Sequence, residues 1–193
     1  MQVDVLAFGP HPDDVELLVG GTLLRLASLG YRTAIVDLTA GEMGTRGTRE
    51  KRAAEAEEAA KLLGAVTRRC LDLGDGRLTV DWSSKLAVVQ VIRELRPRLV
   101  FTNYWENNHP DHAVSGPLIA EAAYLAGLTR LDAEGEPRSG VRKNDRAAIP
   151  RPAVATLGTM EVTNAQGSEQ SRAGLDDHGC SEQIARVHCQ KRR

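Results

Sequence analysis

Aromatic residues are scarce in this 193-residue chain, since Phe, Trp and Tyr together make up 4% of it. The three cysteines, Cys70, Cys180 and Cys189, have no disulfide-framework spacing, which favours a reducing compartment such as the cytoplasm. A net charge of -1 gives no strong positive field, so no nucleic-acid partner is expected. No membrane association is expected either, because no apolar run approaches the roughly 18 residues that span a bilayer.

Strand and helix patterns alternate along the first 137 residues. The predicted strands are Val3–Phe8, Thr33–Leu38, Arg69–Leu73 and Leu99–Thr102, and the predicted helices are Val15–Leu29, Thr48–Leu63, Ser83–Leu95 and Ala113–Ala126. Pro117 falls in the last helix and is tolerable only near its first turn. This alternation predicts an α/β fold with a Rossmann-like, doubly wound, mainly parallel sheet.

Residues 138–193 differ in character from residues 1–137. Every aromatic residue lies at or before Tyr124, and the tail has ten Lys and Arg against six Asp and Glu, whereas residues 1–137 carry a net charge of -5. Apolar residues in the tail are sparse and aperiodic. We therefore expect an atypical, poorly ordered tail without strands, and with at most a short helix around Ser181–His188.

A His-Pro-Asp-Asp motif at positions 11–14 follows the first predicted strand. Ligands bind at the carboxyl ends of strands in open α/β sheets. A proline on each side of His11 stiffens the loop, and a histidine beside two carboxylates suits a metal that accepts nitrogen and oxygen ligands, zinc first. A structural explanation also exists, because Asp13 can cap the following helix and Glu16 can complete a capping box.

A His-Pro-Asp-His motif at positions 109–112 follows the fourth predicted strand. Because the carboxyl ends of parallel strands meet at one edge, the two motifs can converge on one crevice. His11, Asp14 and His112 would then supply three ligands and leave a fourth tetrahedral position open, as in catalytic zinc sites. Asp111 can orient an imidazole. This joint pattern outweighs the alternative that the histidines are surface or helix-capping residues.

The two motifs resemble those of the PIG-L/LmbE-like family of zinc-dependent N-deacetylases. The resemblance includes Gly20-Gly21-Thr22 and the LTAGEMGTRGT run at residues 38–48, which is most similar to the bacillithiol-type branch. It implies a zinc-dependent hydrolase that removes the N-acetyl group from an N-acetylglucosamine-type conjugate, such as a bacillithiol-pathway substrate. Homo-oligomers are common in the family. The resemblance covers roughly residues 1–137.

Carried over by position, the resemblance assigns zinc binding to His11, Asp14 and His112. Asp13 would be the general base toward the attacking water, and His109 would stabilise the oxyanion or protonate the departing amine. The resemblance also implies that Arg46 contacts the sugar or its acidic aglycone. The alternative, which has equal weight, is that Arg46 is a solvated loop arginine.

The tail is where the chain departs from the family, whose members continue with further strands, helices and an aromatic-rich stretch. We hypothesise a frameshift or gene-model error near residue 138, because aromatics end and the charge reverses. Sequencing the locus tests this, and an intact frame encoding the same tail would contradict it. With a frameshift at this point, the deacetylase domain at 1–137 would be incomplete at its C-terminus. The alternative to an enzyme is a catalytically impaired sugar- or metal-binding remnant.

Two other interpretations are disfavoured. A dinucleotide-binding domain would need a glycine fingerprint after the first strand, where this chain has carboxylates that repel a pyrophosphate, and the glycines within 41–47 have the wrong spacing. A further cluster of histidines and cysteines matches no standard zinc finger, so chance explains it. It consists of His178, Cys180, His188 and Cys189. Cys70 is predicted to be a buried strand residue.

Overall fold

The structure is a computed structural model that describes residues 1–135, 137 and 153–157. The strands in this part of the chain are β1 (Val5–Gly9), β2 (Thr33–Asp37), β3 (Thr67–Cys70), β4 (Leu99–Asn103) and β5 (Ala153–Leu157). Its helices are α1 (Asp14–Ser28), α2 (Arg49–Leu62), α3 (Trp82–Leu95) and α4 (Pro110–Leu125). Over the same residues, no helix has both the length and the apolar character needed to cross a membrane.

All neighbouring strands pair in parallel, in the order β3-β2-β1-β4-β5. The chain moves outward from the central strand β1 through β2 and β3, and then returns to the other side of β1 for β4 and β5. The direction of strand order therefore changes between β1 and β4, which is where open α/β sheets bind their ligands. The predicted Rossmann-like, doubly wound fold is confirmed.

Alternation along β1 explains why helices cover both faces of the sheet. Leu6 and Phe8 belong to one buried cluster with residues of α3 and α4, whereas Val5 and Ala7 belong to a second cluster with residues of α1. Every residue of β1 is buried, as expected for a parallel strand covered on both faces. The two cores hold the loops at the carboxyl edge of the sheet in a fixed relation to one another.

Helix α4 begins earlier than predicted, and the expectation for Pro117 is wrong. His109 is the N-cap residue, and Pro110 opens the helix, where a proline loses no hydrogen bond. Pro117 consequently lies inside the helix rather than near its first turn. It provides no amide for the carbonyl of Ala113, four residues earlier.

Two other expectations are also wrong. Residues 138–193 contain a strand, β5, which pairs along all of β4 and belongs to the same compact unit, Met1–Met160, as the other strands. Its five residues are too few to show a period in the sequence. Cys70 is exposed rather than buried, because β3 lies at the edge of the sheet formed by the described strands, with β2 as its neighbour on one side.

Two other features of the tail lie outside the described residues. They are the short helix expected around Ser181–His188 and the cluster of His178, Cys180, His188 and Cys189.

Candidate metal and catalytic site

The loop between β1 and α1 brings His11 and Asp14 to the carboxyl edge of the sheet. Gly9 ends β1, and a Cβ at Gly9 would lie 3.0 Å from the side chain of Val15, so glycine lets the strand and the helix approach closely. The backbone amide of His11 donates a hydrogen bond of 2.9 Å to Oδ2 of Asp14. This bond fixes the carboxylate beside the imidazole, and both residues are buried.

The capping box that would explain Asp13 and Glu16 structurally does not form. Asp13 is the N-cap residue of α1, but its side chain accepts no capping hydrogen bond, and Glu16 pairs with Arg68 instead. The Asp13 side chain is 59% exposed, and its Oδ2 lies 3.5 Å from Nη2 of Arg52. Its carboxylate is therefore directed outward from the helix end and is open to a reactant.

The second loop runs from Asn103, at the end of β4, to the start of α4. Nδ1 of His109 accepts a hydrogen bond of 3.2 Å from the amide of Asp111 and so caps the helix. His112 follows in the first turn, and Nδ2 of Asn103 lies 3.4 Å from its Nδ1. The strand end and the helix start thus hold the His112 ring between them.

The two loops meet at Oδ2 of Asp14. Nδ1 of His11 and Nε2 of His112 each lie 3.2 Å from this oxygen. One ligand atom from each of the three residues lies within 4.8 Å of the other two. Two imidazole nitrogens and one carboxylate oxygen at this spacing fit zinc, whose catalytic sites use three protein ligands and an open position. The structure thus brings together the three residues predicted as ligands.

The charges in this cluster stabilise one another. Burial lowers the pKa of His11, but its hydrogen bond with Asp14 and the nearby Asp111 and Asp75 outweigh burial and raise that pKa to about 9. Burial also opposes ionisation of Asp14, yet hydrogen bonds with His11 and His112 hold the pKa of Asp14 well below its usual range. The cluster therefore contains an ionised carboxylate beside two imidazole rings, a position that attracts a metal cation.

The other ring nitrogen of His11 faces two carboxylates. Its Nε2 lies 3.2 Å from Oδ2 of Asp111 and 3.1 Å from Oδ1 of Asp75. Asp111 is buried and accepts the backbone amides of Gly76, at 2.7 Å, and Leu78, at 3.3 Å. A carboxylate held in this way can orient the imidazole and leave Nδ1 for a metal. Asp111 thus has the position expected of an orienting residue.

His11, His109 and Asp111 form a second group with metal-ligand spacing. In this group, however, Nδ1 of His109 and both oxygens of Asp111 already accept backbone amides. The first group has one backbone bond of this kind, from the amide of His11 to Oδ2 of Asp14, and contains the three residues predicted as ligands. Within the described residues, His11, Asp13 and His109 line one cavity, so the predicted base and the predicted acid lie beside one of the predicted metal ligands.

Arg46 is exposed in the loop between β2 and α2. It lines a second cavity together with Asp13 and Arg52, and Asp13 and Arg52 also line the cavity that contains His109. Arg46 therefore lies near the cluster without belonging to it. This position fits both alternatives, a substrate contact and a solvated loop arginine.

Three residues of the site were missed by the sequence analysis: Asp75, Asn103 and Arg52. Asp75 is flanked by glycines in the loop after β3, and Asn103 is the last residue of β4, so both had a strand-end signal. Arg52 had no such signal, because it lies in α2 and reaches back over Gly41. A Cβ at Gly41 would come within 2.9 Å of the guanidinium carbon.

Comparison with known proteins agrees with this geometry. The family model PIG-L, described as GlcNAc-PI de-N-acetylase, matches residues 6–123, which include both histidine motifs. The diacetylchitobiose deacetylase of Thermococcus kodakarensis is 35% identical over 138 residues, covering 66% of this chain and 52% of that protein. The probable N-acetyl-alpha-D-glucosaminyl L-malate deacetylase 2 of Bacillus anthracis is 34% identical over 131 residues, covering 61% and 58%.

A solved structure shows the same fold over most of the chain. The crystal structure of a conserved protein from Thermus thermophilus matches with a TM-score of 0.73 and 39% identity, covering 81% of this chain and 67% of that one. The chain spans little more than half the length of the two curated relatives.

Proposed function

This chain belongs to the PIG-L family, and from that premise we propose that it is a zinc-dependent hydrolase that removes the N-acetyl group from an N-acetylglucosamine-type conjugate. The observation that carries the proposal is the convergence of His11, Asp14 and His112 within 4.8 Å, next to the exposed carboxylate of Asp13. Family membership accounts for the fold and for both motifs. The three clustered side chains supply the metal ligands that the proposed hydrolysis needs.

His11, Asp14 and His112 would hold the zinc ion. When bound, zinc polarises the amide carbonyl and makes water more acidic. The chain's own residues prepare this position, because Asp111 and Asp75 both face Nε2 of His11 and leave its Nδ1 toward Asp14. The buried surroundings strengthen the attraction between a cation and the ionised Asp14.

Asp13 is proposed as the general base. Its carboxylate is exposed into the same cavity as His109 and makes no capping bond, so it can accept a proton from the attacking water. Nη2 of Arg52 lies 3.5 Å from Oδ2 of Asp13 and can hold the carboxylate in place.

His109 is proposed as the group that stabilises the oxyanion or protonates the departing amine. Its Nδ1 accepts the amide of Asp111, so Nδ1 carries no proton and the proton of the neutral ring resides on Nε2. The helix cap thereby selects the tautomer in which Nε2–H is a donor. A donor is what a developing oxyanion or a leaving amine requires.

The proposed substrate is a bacillithiol-type conjugate with an acidic aglycone. Arg46 and Arg52 line one cavity beside Asp13, and their guanidinium groups suit recognition of a carboxylate. The name of the Bacillus anthracis relative, an L-malate conjugate deacetylase, agrees with such a substrate. We further propose a cytoplasmic enzyme that can form homo-oligomers, with residues 1–137 as its catalytic region and residues 138–193 as an atypical tail.

Release of free amine from N-acetylglucosaminyl malate and from N,N′-diacetylchitobiose tests the proposal. Turnover should stop on treatment with a chelator and return when zinc is added back. Turnover that is unchanged by the chelator would contradict the assignment of a metal to this site. Zinc binding without amine release from either compound would favour the catalytically impaired remnant. A faster reaction of the malate conjugate, lost in an Arg46→Ala variant, would support the acidic aglycone.

A further inference from the structure

The loop between β4 and α4 carries two adjacent aromatic residues, Tyr104 and Trp105. Their ring centroids lie 4.3 Å apart with an angle of 37° between the planes, and the Trp105 residue is 50% exposed. The chain has only seven aromatic residues. The half-exposed indole and the adjacent phenol ring form an apolar surface that is open to solvent at this loop.

The aromatic pair is joined to the candidate site at both ends of its loop. Asn103, just before the pair, contacts the ring of His112, and His109 follows the pair after three further residues. The base of the loop is held against α4, because a Cβ at Gly116 would lie 2.6 Å from the oxygen of Asn103 and 3.7 Å from the amide nitrogen of Trp105. The base of the loop that carries the pair is therefore anchored at Asn103, which contacts the proposed metal ligand His112.

We propose that Tyr104 and Trp105 form a stacking surface for a sugar ring of the substrate. This inference rests on the proposed function. It assigns to the two aromatic residues a role in substrate specificity. The C–H face of a pyranose is apolar, whereas its hydroxyl groups need polar partners. A half-exposed aromatic pair beside the exposed polar residues Glu106 and Asn108 presents both kinds of surface.

Trp82 provides a matched control. It is the other tryptophan of the chain and is 55% exposed. It lies at the start of α3 and lines a cavity with Leu125, Leu128 and Leu131, none of which belongs to the candidate site. A general effect of removing an exposed indole should therefore appear at both tryptophans, whereas sugar stacking should appear only at Trp105.

The first experiment measures binding and does not depend on turnover. In the full chain with Trp82→Phe, Trp105 is the single tryptophan, and N,N′-diacetylchitobiose should change its fluorescence in a saturable way. In the same chain with Asp13→Asn, where turnover should be strongly slowed, the change should persist. Malate alone should cause none. An unchanged emission with the sugar would overturn the proposal, even if the protein deacetylates other compounds.

The second experiment uses the steady-state parameters of deacetylation. Trp105→Ala should raise KM roughly 3- to 10-fold with little change in kcat, the size expected for loss of an aromatic contact. Trp105→Phe should recover most of the loss, and Trp82→Ala should leave KM unchanged. Equal effects of Trp105→Ala and Trp82→Ala would overturn the proposal. Absence of turnover in every variant would contradict the proposed function, and the fluorescence titration would still decide on stacking.

Discussion

The carbonyl oxygen of Asn103 lies so close to Gly116 of α4 that a Cβ at Gly116 would approach it to 2.6 Å. Asn103 ends β4 and contacts the ring of His112, which α4 carries one turn before Gly116. The missing side chain at Gly116 thus lets the strand and the helix approach each other closely enough to place one proposed metal ligand.

Gly116→Ala should therefore weaken both the fold and the metal site. The added methyl group must push α4 away from β4, at a cost of about 1–3 kcal/mol in the free energy of unfolding. Urea unfolding and a zinc titration with a competing chelator measure the two effects. The control is Gly21→Ala in α1, where a Cβ would meet nothing within 4 Å and alanine favours the helix. Equal stability of the two variants would contradict this account of Gly116.

Asp13 and Asp14 are neighbours with different environments, and their substitutions should separate catalysis from metal binding. Asp13→Asn should keep zinc and lower kcat by about 10²- to 10⁴-fold. The substitution removes the exposed carboxylate that is proposed as the base, and Asp13 is not one of the proposed metal ligands. Asp14→Asn should lose zinc, because Oδ2 of Asp14 is the atom where His11 and His112 converge. Metal analysis of each purified variant, together with the amine-release assay, measures this. Loss of zinc in Asp13→Asn would show that the two roles are exchanged.

His109 combines a structural and a proposed catalytic role, which a pair of substitutions can separate. His109→Asn retains a favoured N-cap acceptor, so its stability and zinc content should match those of the unmodified protein. Its kcat should fall by about 10²- to 10⁴-fold, because the Nε2–H donor is gone. His109→Ala should show the same loss of kcat and, in addition, lose about 1 kcal/mol of stability with the cap. Full activity of His109→Asn would show that the imidazole only caps α4.

The sequence was sufficient to predict the parallel fold and the loops that meet, because strand ends in a doubly wound sheet share one edge. It predicted His11, Asp14, His112 and Asp111 as neighbours for the same reason. Contacts that depend on tertiary packing could not be predicted from the positions of the strand ends. Arg52 reaches the site from inside a helix.

The errors at Cys70 and at β5 have a related explanation. Whether Cys70 is covered depends on the position of β3 at the edge of the sheet, and a five-residue run such as β5 becomes recognisable as a strand only through its partner, β4. Burial and pairing at a sheet edge are properties of the assembled sheet, and the local sequence contains little information about them.

Arg68 links the sheet to the first turn of α1 and should be important for stability. Its Nε and Nη2 bind Asp37 at 2.7 and 2.9 Å, and Nη1 pairs with Glu16 in the first turn of α1. The side chains of Arg68 and Asp37 are each only 4% exposed. Arg68→Met would leave the buried carboxylate of Asp37 without its partner and should cost about 3–5 kcal/mol.

The adjacent Arg69 is the matched control for this prediction. It also pairs with a carboxylate, Glu94, but the two side chains are 32% and 52% exposed. Water screens such a pair, so Arg69→Met should change the free energy of unfolding by about 1 kcal/mol or less. Urea unfolding followed by circular dichroism measures both variants. Similar midpoints for the two would show that Arg68 contributes no more than a surface ion pair. A larger loss for Arg68→Met, with weaker zinc binding, would show that this pairing also supports the loop that carries His11 and Asp14.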